Sequence, residues 1–297
     1  MATKTIDPKT IKTSELHQIL LSAVAPRPIA LASTIDVNGN VNLSPFSFFN
    51  VFSANPPILI FSPARRGRDN TVKHTYENVK AVNEVVVNIV NHNIVEQTSL
   101  SSTEYDSDVN EFEKAGFTAI PSDTIKPPRV AESPVSFECK VQDVIELGHE
   151  GGAGNLVISR IECIHIQEKY LNASGNLDTQ KLDLVARMGE SWYCRASGEA
   201  LFEIPKPIYN KGIGIDNLPK HVVDSNILSG NNLGRLGNLE QTPNALQIEK
   251  HKKRADIQSI FQIEDENERK DQLHKYAQVF IKNNQPEIAL EVLFCMN

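Results

Sequence analysis

Cysteine is scarce and scattered: Cys139, Cys163, Cys194 and Cys295 are the only four, and none forms a close pair. That spacing excludes a disulfide scaffold and the paired ligands of a zinc module. Positive charge is in deficit, with 30 Lys and Arg against 37 Asp and Glu and a net charge of −7. A nucleic-acid binder carries a basic domain or stripe, so that class is disfavoured. Long apolar runs are missing too. No segment reaches the ~18–20 residues of a membrane-spanning helix. The first residues, MATKTIDPKTIKTSELHQ, lack the apolar middle of a signal peptide. Several catalytic signatures are also lacking. There is no G-x-S-x-G elbow and no H-x-x-x-H pair on a helix, and Gly212-Ile213-Gly214 has no third glycine for a dinucleotide fingerprint. The expectation is a cytoplasmic protein with no membrane, nucleic-acid or metal partner.

What is present is core material. Hydrophobic residues make up 40% of 297, enough for one large domain or two ordinary ones. Charge marks a boundary. Residues 206–297 carry 12 basic and 12 acidic side chains, so the whole −7 lies in residues 1–205. The prolines of Ile204-Pro205-Lys206-Pro207 favour a stiff, extended exit at the same place. The domains are therefore expected at 1–205 and 206–297.

The first domain reads as strands. Pro28–Ile35 ends in Val37-Asn38-Gly39-Asn40, a hairpin signal, because Asn and Gly tolerate positive φ. The return strand is expected over Val41–Phe49, with others at Pro57–Phe61 and Glu84–Asn91. Val135–Leu147 and Leu156–Glu168 form two long strands joined by a glycine-rich loop, and short helices fit Thr71–Val82, Ile94–Ser101 and Val109–Ala115. Many short strands without steady βαβ alternation indicate a mainly β (α+β) barrel or sandwich. In the second domain, residues 208–255 read as loop with short helices. From Ala255 the pattern turns helical: Leu273, Tyr276, Ala277, Phe280 and Ile281 share one face, and Pro286 opens a last helix. So short a hairpin cannot form a core alone, and its apolar face is expected to pack on the barrel, a second subunit or another protein, with packing inside a dimer favoured because an exposed patch would promote aggregation.

Two segments could carry chemistry. Arg65, Arg66, Arg68 and Lys73 crowd the turn between a buried strand and a helix start, with Ser62 before them and Thr75 after. Free N–H groups, hydroxyls and cations make an anion site, with phosphate as the natural ligand; a solvated basic turn is the competing reading. In Leu43-Ser44-Pro45-Phe46-Ser47-Phe48-Phe49-Asn50, alternation fails and Pro45 cannot donate to a ladder. Free backbone groups beside aromatic walls suit a flat heterocycle, though ordinary aromatic core fits as well. Arg27, between two prolines, and Arg187, in Ala186-Arg187-Met188-Gly189, are weaker signals. Gly151-Gly152-Ala153-Gly154 reads as a hairpin loop rather than a phosphate cradle.

Taken as a set, Pro26–Thr34, Asn42–Asn50, Pro56-Pro57, Lys73-His74-Thr75 with Asn78, and Val85–Val90 resemble the flavin reductase-like family of FMN-binding split-barrel proteins. The resemblance covers about residues 20–205. It implies a six-stranded split β-barrel with short peripheral helices, here followed by a C-terminal helical extension, and a homodimer with one FMN per subunit. It places Ser44, Phe46, Ser47, Phe48 and Asn50 along the isoalloxazine ring. Lys73 and Thr75 fall on the phosphate, with His74 standing where the family has Asp. Ser62, Arg66, Arg68 and Arg187 are the further cofactor-binding candidates. The implied activity is NAD(P)H-dependent flavin reduction by hydride transfer to flavin N5, with reduced flavin passing to an oxygenase or another electron acceptor. No catalytic acid or base is expected, because the cofactor carries the chemistry. The alternative is an FMN-binding electron carrier or sensor without rapid NAD(P)H turnover. A third reading is an interaction protein that docks through its C-terminal hairpin.

Overall fold

Apolar, β-branched segments become strands, where their side chains pack on a pleated surface. The computed structural model describes residues 2–106, 108–205 and 211–296. Helix α1 (Thr13–Ala23) leads into β1 (Ala30–Ile35), β2 (Val41–Phe46), β3 (Phe49–Ala54) and β4 (Pro57–Phe61). Next come α2 (His74–Val82), β5 (Glu84–Ile89), α3 (Val95–Leu100), α4 (Glu111–Ala115), β6 (Ala119–Ile120) and β7 (Arg129–Val130). The long strands β8 (Val135–Glu146) and β9 (Asn155–Ile166) follow, then α5 (Thr179–Leu182), β10 (Leu184–Arg187) and β11 (Tyr193–Ala196). All of these lie in a first unit, Met1–Phe202; the second is Glu203–Asn297. Lys206 and Pro207 of the expected boundary lie outside the described residues. Among the described residues, no helix is long and apolar enough to cross a membrane.

Seven strands pair antiparallel in the order β2-β1-β5-β8-β9-β4-β3. The edge strands β2 and β3 are neighbours in sequence, joined only by Ser47 and Phe48. A flat sheet of this size would hold its edges roughly 29 Å apart. Three peptide units span at most about 11 Å. The sheet must therefore roll until its edges approach, and among the described residues no ladder closes the seam. That is a split barrel.

The expected single strand Val41–Phe49 is two strands, which makes seven rather than six. Pro45 does not cause the break. It pairs with Leu31 in the ladder and is tolerated because β2 is an edge strand. The chain leaves strand geometry two residues later, where it crosses from one sheet edge to the other. The Asn38-Gly39 turn also differs from a two-residue hairpin. Gly39 takes φ +90°, but Asn38 does not have positive φ. Instead the Asp36 carboxylate accepts from the Asn38 and Asn40 N–H groups, each at 2.8 Å, and shapes a longer loop.

Ala30, Ala32, Phe46, Leu59, Phe61, Val85, Val87, Cys139 and Val157 form one buried cluster with Val79 of α2. It draws on six strands across the sheet, so it fills the barrel. On the other face, Leu31 and Leu43 pack against Phe112 and Ala115 of α4. Both faces of β1 are thus covered, which explains its continuous apolar run.

The second unit contains α6 (Lys220–Val223), α7 (Gly230–Gly237), α8 (Ala245–Lys252), α9 (Ala255–Phe261), α10 (Glu266–Lys282) and α11 (Pro286–Leu293). The expectation that its apolar face needs the barrel or another subunit is corrected. Leu273, Ala277 and Ile281 of α10 are buried with Leu290 and Leu293 of α11, and with Val222, Leu236 and Ile257 of the shorter helices. Those helices form in a glycine-punctuated stretch because side chains satisfy their free N–H groups. Ser229 and Asn244 each make a capping box, and Asp265 caps α10.

A fragment starting at Glu203 is therefore expected to unfold cooperatively in denaturant, followed by far-UV circular dichroism. Leu273→Ala should cost it about 2–5 kcal/mol, the range for a buried leucine truncation. A broad, non-cooperative loss of helix in the parent fragment would show that these side chains do not form one core.

Candidate functional site

The basic turn between β4 and α2 spends most of its charge on itself. Arg65 donates from Nε to Asn70 Oδ1 and from Nη2 to Asn70 O, both at 2.7 Å. Arg66 donates to Thr71 Oγ1 at 2.9 Å and to the Val72 carbonyl, and pairs with Glu104 at 3.0 Å. Arg68 is exposed and pairs with Asp69 and Glu104. The glycine-rich segment that joins β8 to β9 clamps this turn. Arg65 N donates to Ala153 O at 2.8 Å, and Gly152 N donates to Arg65 O at 3.0 Å. Contact is so close that a Cβ on Gly151 would lie 3.1 Å from the Arg66 carbonyl oxygen. The segment is a hairpin loop in which Gly151 allows this close approach and Gly152 takes φ +91°.

Lys73 is the exception. It is half-buried at the start of α2, and among the described residues its ammonium has no hydrogen bond or ion pair. Nζ lies 5.8 Å from the centroid of the buried Phe46 ring, a cation–π contact. Burial lowers its pKa, the neighbouring Arg66 lowers it further, and Glu104 pulls the other way. A desolvated cation beside another cation is unfavourable until an anion arrives.

The ammonium faces a polar recess. Its lining includes Asn42, Ser44, Arg66, Thr75, Thr103 and Glu111. Thr75 is fully buried, and its hydroxyl accepts from Asn42 Nδ2 at 2.9 Å. Asn42 reaches Thr34 Oγ1 at 3.4 Å, as does Asn78 at 3.1 Å, so the floor is a hydrogen-bonded network. Glu111 closes one side and accepts from Leu43 N at 3.0 Å. Burial raises its pKa, against the pull of that N–H and of His74. Two guanidinium or ammonium groups with several hydroxyls form a donor set for a phosphate-like anion.

Four of the residues expected on the cofactor thus meet in one place: Ser44, Arg66, Lys73 and Thr75. Arg68 stands apart through its pairs with Asp69 and Glu104. Phe46 lies in the barrel core with its ring 5.4 Å from Phe61, beneath Lys73. The buried Ser62 hydroxyl accepts from Asn155 N at 3.0 Å, while its N–H donates to Phe48 O at 2.9 Å. That pair ties the β8–β9 loop to the β2–β3 corner.

Ser47, Phe48 and Asn50 form the corner itself. Ser47 Oγ accepts from Arg27 Nε at 3.4 Å, and Phe48 meets His17 of α1 edge-on, 6.1 Å between centroids. Asn50 is exposed, its Oδ1 accepting from Val51 N at 2.8 Å. Arg27 is buried and donates to the Leu21, Val24 and Met188 carbonyls, capping the end of α1. Its backbone exchanges two 2.9 Å hydrogen bonds with Arg187, whose guanidinium stacks 4.6 Å from the Tyr193 ring centroid. Arg187 is therefore next to the Arg27 segment and is not among the recess residues. Sequence reasoning missed Asn42, Glu111 and the segment Ser101–Tyr105. Only the last had a readable signal, the hydroxyl run Ser101-Ser102-Thr103 after a helix.

Residues 22–180 match the flavin reductase like domain family. An uncharacterized protein of Aquifex aeolicus is 36% identical over 189 residues, covering 64% of this chain and 94% of its own length. Among solved structures, nitrilotriacetate monooxygenase component B from Bacillus cereus aligns with a TM-score of 0.64 at 28% identity, covering 69% of this chain and all of its own. A protein described as a flavin reductase with a split barrel domain, from Shewanella frigidimarina, gives 0.57 at 29% identity, with coverages of 67% and 95%. The second unit lies outside the family match.

Inorganic phosphate at millimolar concentration should raise the thermal midpoint of the chain by mass action, and Lys73→Ala should abolish the rise. The ammonium is the binding form. With a non-titrating anion such as sulfate, binding should therefore weaken as pH rises through the lowered pKa of Lys73, before the ordinary lysine range. An equal anion response in Lys73→Ala and parent would remove Lys73 from the site.

Proposed function

We propose that this chain, which belongs to the flavin reductase-like family, holds FMN and reduces it with NADH or NADPH. The observation that carries the reading is the half-buried Lys73 ammonium, which among the described residues has no hydrogen bond or ion pair and faces a recess of hydroxyls and Arg66. Riboflavin has nothing to offer that recess, whereas the phosphate of FMN does. Ser44, Arg66, Lys73 and Thr75 would hold the phosphate, with Arg68 at the outer edge of the turn. Strand β2 then runs from Ser44 to the corner, where Ser47, Phe48 and Asn50 would line the ring, with Arg187 reaching toward it. Phe46 and Ser62 would act from beneath, one supporting Lys73 and the other fixing the corner.

When bound, FMN supplies the hydride-accepting ring. The chain orients it, shields it from water and provides hydrogen bonds, and needs no acid or base of its own. By analogy with the Bacillus cereus component B, reduced flavin would pass to a partner oxygenase. A homodimer fits the exposed apolar side chains at the seam: Phe48 is 38%, Val51 59% and Phe52 65% exposed. Four free cysteines fit a reducing, cytoplasmic setting.

Purified protein should be yellow, and anaerobic NADH or NADPH should bleach it within the turnover time of a reductase. Reduction by dithionite alone would instead assign an electron carrier. Lys73→Ala should weaken FMN binding by about 1.5–3 kcal/mol, the range for hydrogen bonds to charged groups; an unchanged dissociation constant would contradict the phosphate assignment. Light scattering should report twice the chain mass of 33.0 kDa, and a monomer with FMN bound would remove the dimer from the proposal.

A further inference from the structure

Away from the recess, the β8–β9 hairpin carries a second group of reactive side chains. Cys163 and His165 are two residues apart on β9 and so share one face. Glu138 of β8 is the cross-strand partner of Cys163 and is completely buried. Its carboxylate organises everything around it. Oε1 accepts from Asp123 N at 2.8 Å, and Oε2 accepts from Thr124 N at 2.7 Å and from Thr124 Oγ1 at 2.6 Å. These bonds pin the loop between β6 and β7 onto the strand pair. Asp123 is delivered beside Cys163 and His165, and one donor atom from each of the three lies within 4.8 Å of the others.

Glu138 also fixes the imidazole. Oε1 lies 2.7 Å from His165 Nε2. A carboxylate that already accepts N–H and O–H bonds is an acceptor, so Nε2 donates to it and the ring orientation is fixed. Carboxylates commonly orient metal-binding histidines in this way, through a hydrogen bond to one ring nitrogen. The donors themselves are one thiol, one imidazole and one carboxylate. Calcium and magnesium prefer six or more oxygens, so neither suits this set. A borderline ion such as Zn²⁺ takes sulfur, nitrogen and oxygen together. Bonds of roughly 2.0–2.3 Å in a tetrahedron place donors about 3.5 Å apart. Small rotations of Asp123, which is exposed, and of Cys163, which is half-exposed, can close that gap.

We propose that Asp123, Cys163 and His165 form a three-ligand Zn²⁺ site, with water in the fourth position, that staples the β6–β7 loop to β9. Binding releases the thiol proton and makes no change in oxidation state. The site requires no flavin, so its test is independent of the reductase reading.

The experiment uses the full chain stripped with a chelator, then titrated with Co²⁺ and with Zn²⁺ against a chromophoric competitor. One equivalent of Co²⁺ should produce a thiolate-to-metal charge-transfer band, and Zn²⁺ should displace it. Cys163→Ser should lose the band, and Asp123→Asn should weaken Zn²⁺ binding at least tenfold, with far-UV circular dichroism unchanged in both. Zn²⁺ should raise the thermal midpoint of the parent and leave that of Cys163→Ser where it was. Absence of the charge-transfer band in the parent, or equal Zn²⁺ affinity in parent and Cys163→Ser, would overturn the proposal.

Discussion

Ser47 and Phe48 are the whole connection between the two edges of a seven-stranded sheet, and the barrel follows from that shortness. Because β2 is an edge strand, Pro45 costs no ladder bond there. Two side-chain contacts and one backbone hydrogen bond hold the corner that results. Arg27 reaches Ser47 while capping α1, Ser62 donates to the Phe48 carbonyl, and His17 packs on the Phe48 ring. The corner is thus braced by α1, β4 and the Arg27 segment together. A flat ligand placed along it would meet an already ordered surface, which lowers the entropy lost on binding.

Electrostatics then distinguishes one end of β2 from the other. The basic turn looks rich in free charge, yet Arg65, Arg66 and Arg68 are engaged by Asn70, Thr71, Asp69 and Glu104. These bonds build the turn. Among the described residues Lys73 has no hydrogen bond or ion pair, in a place where burial and Arg66 disfavour its charge and Glu104 only partly offsets them. Charges disfavoured in this way are found more often at functional sites than elsewhere, which supports the proposed phosphate site. Glu104, shared by Arg66 and Arg68, balances part of the excess positive charge near the recess.

How far the sequence could be read depended on whether a signal was local. The basic turn, the glycine loop and the apolar strands are local, and all three are where the residue pattern puts them. Gly116 ends α4 in the left-handed conformation that glycine at a helix end indicates. The sequence shows an irregularity at Pro45 within one expected strand, because proline is a visible signal, while the break at Ser47 is an edge-to-edge crossing that depends on the sheet as a whole. Helix α1 has only a short stripe, Leu16, Ile19, Leu20 and Ala23 at i, i+3, i+4 and i+7, and it buries none of its residues, so its signal in the sequence is weak. Asn42 and Glu111 enter the recess through contacts to Thr75 and to the Leu43 N–H, 33 and 68 residues away in sequence. The C-terminal core was hidden for a related reason. Short helices between glycines become helices through capping side chains, and only together do they cover the α10–α11 face.

The central claim is that the recess binds the phosphate of a flavin nucleotide through Lys73. Calorimetric titration of flavin-free protein with FMN and with riboflavin tests it most directly, because the two ligands differ only in that phosphate. The account predicts much tighter binding of FMN than of riboflavin, with most of the difference lost in Lys73→Ala. Equal affinity for the two ligands in the parent protein would contradict it.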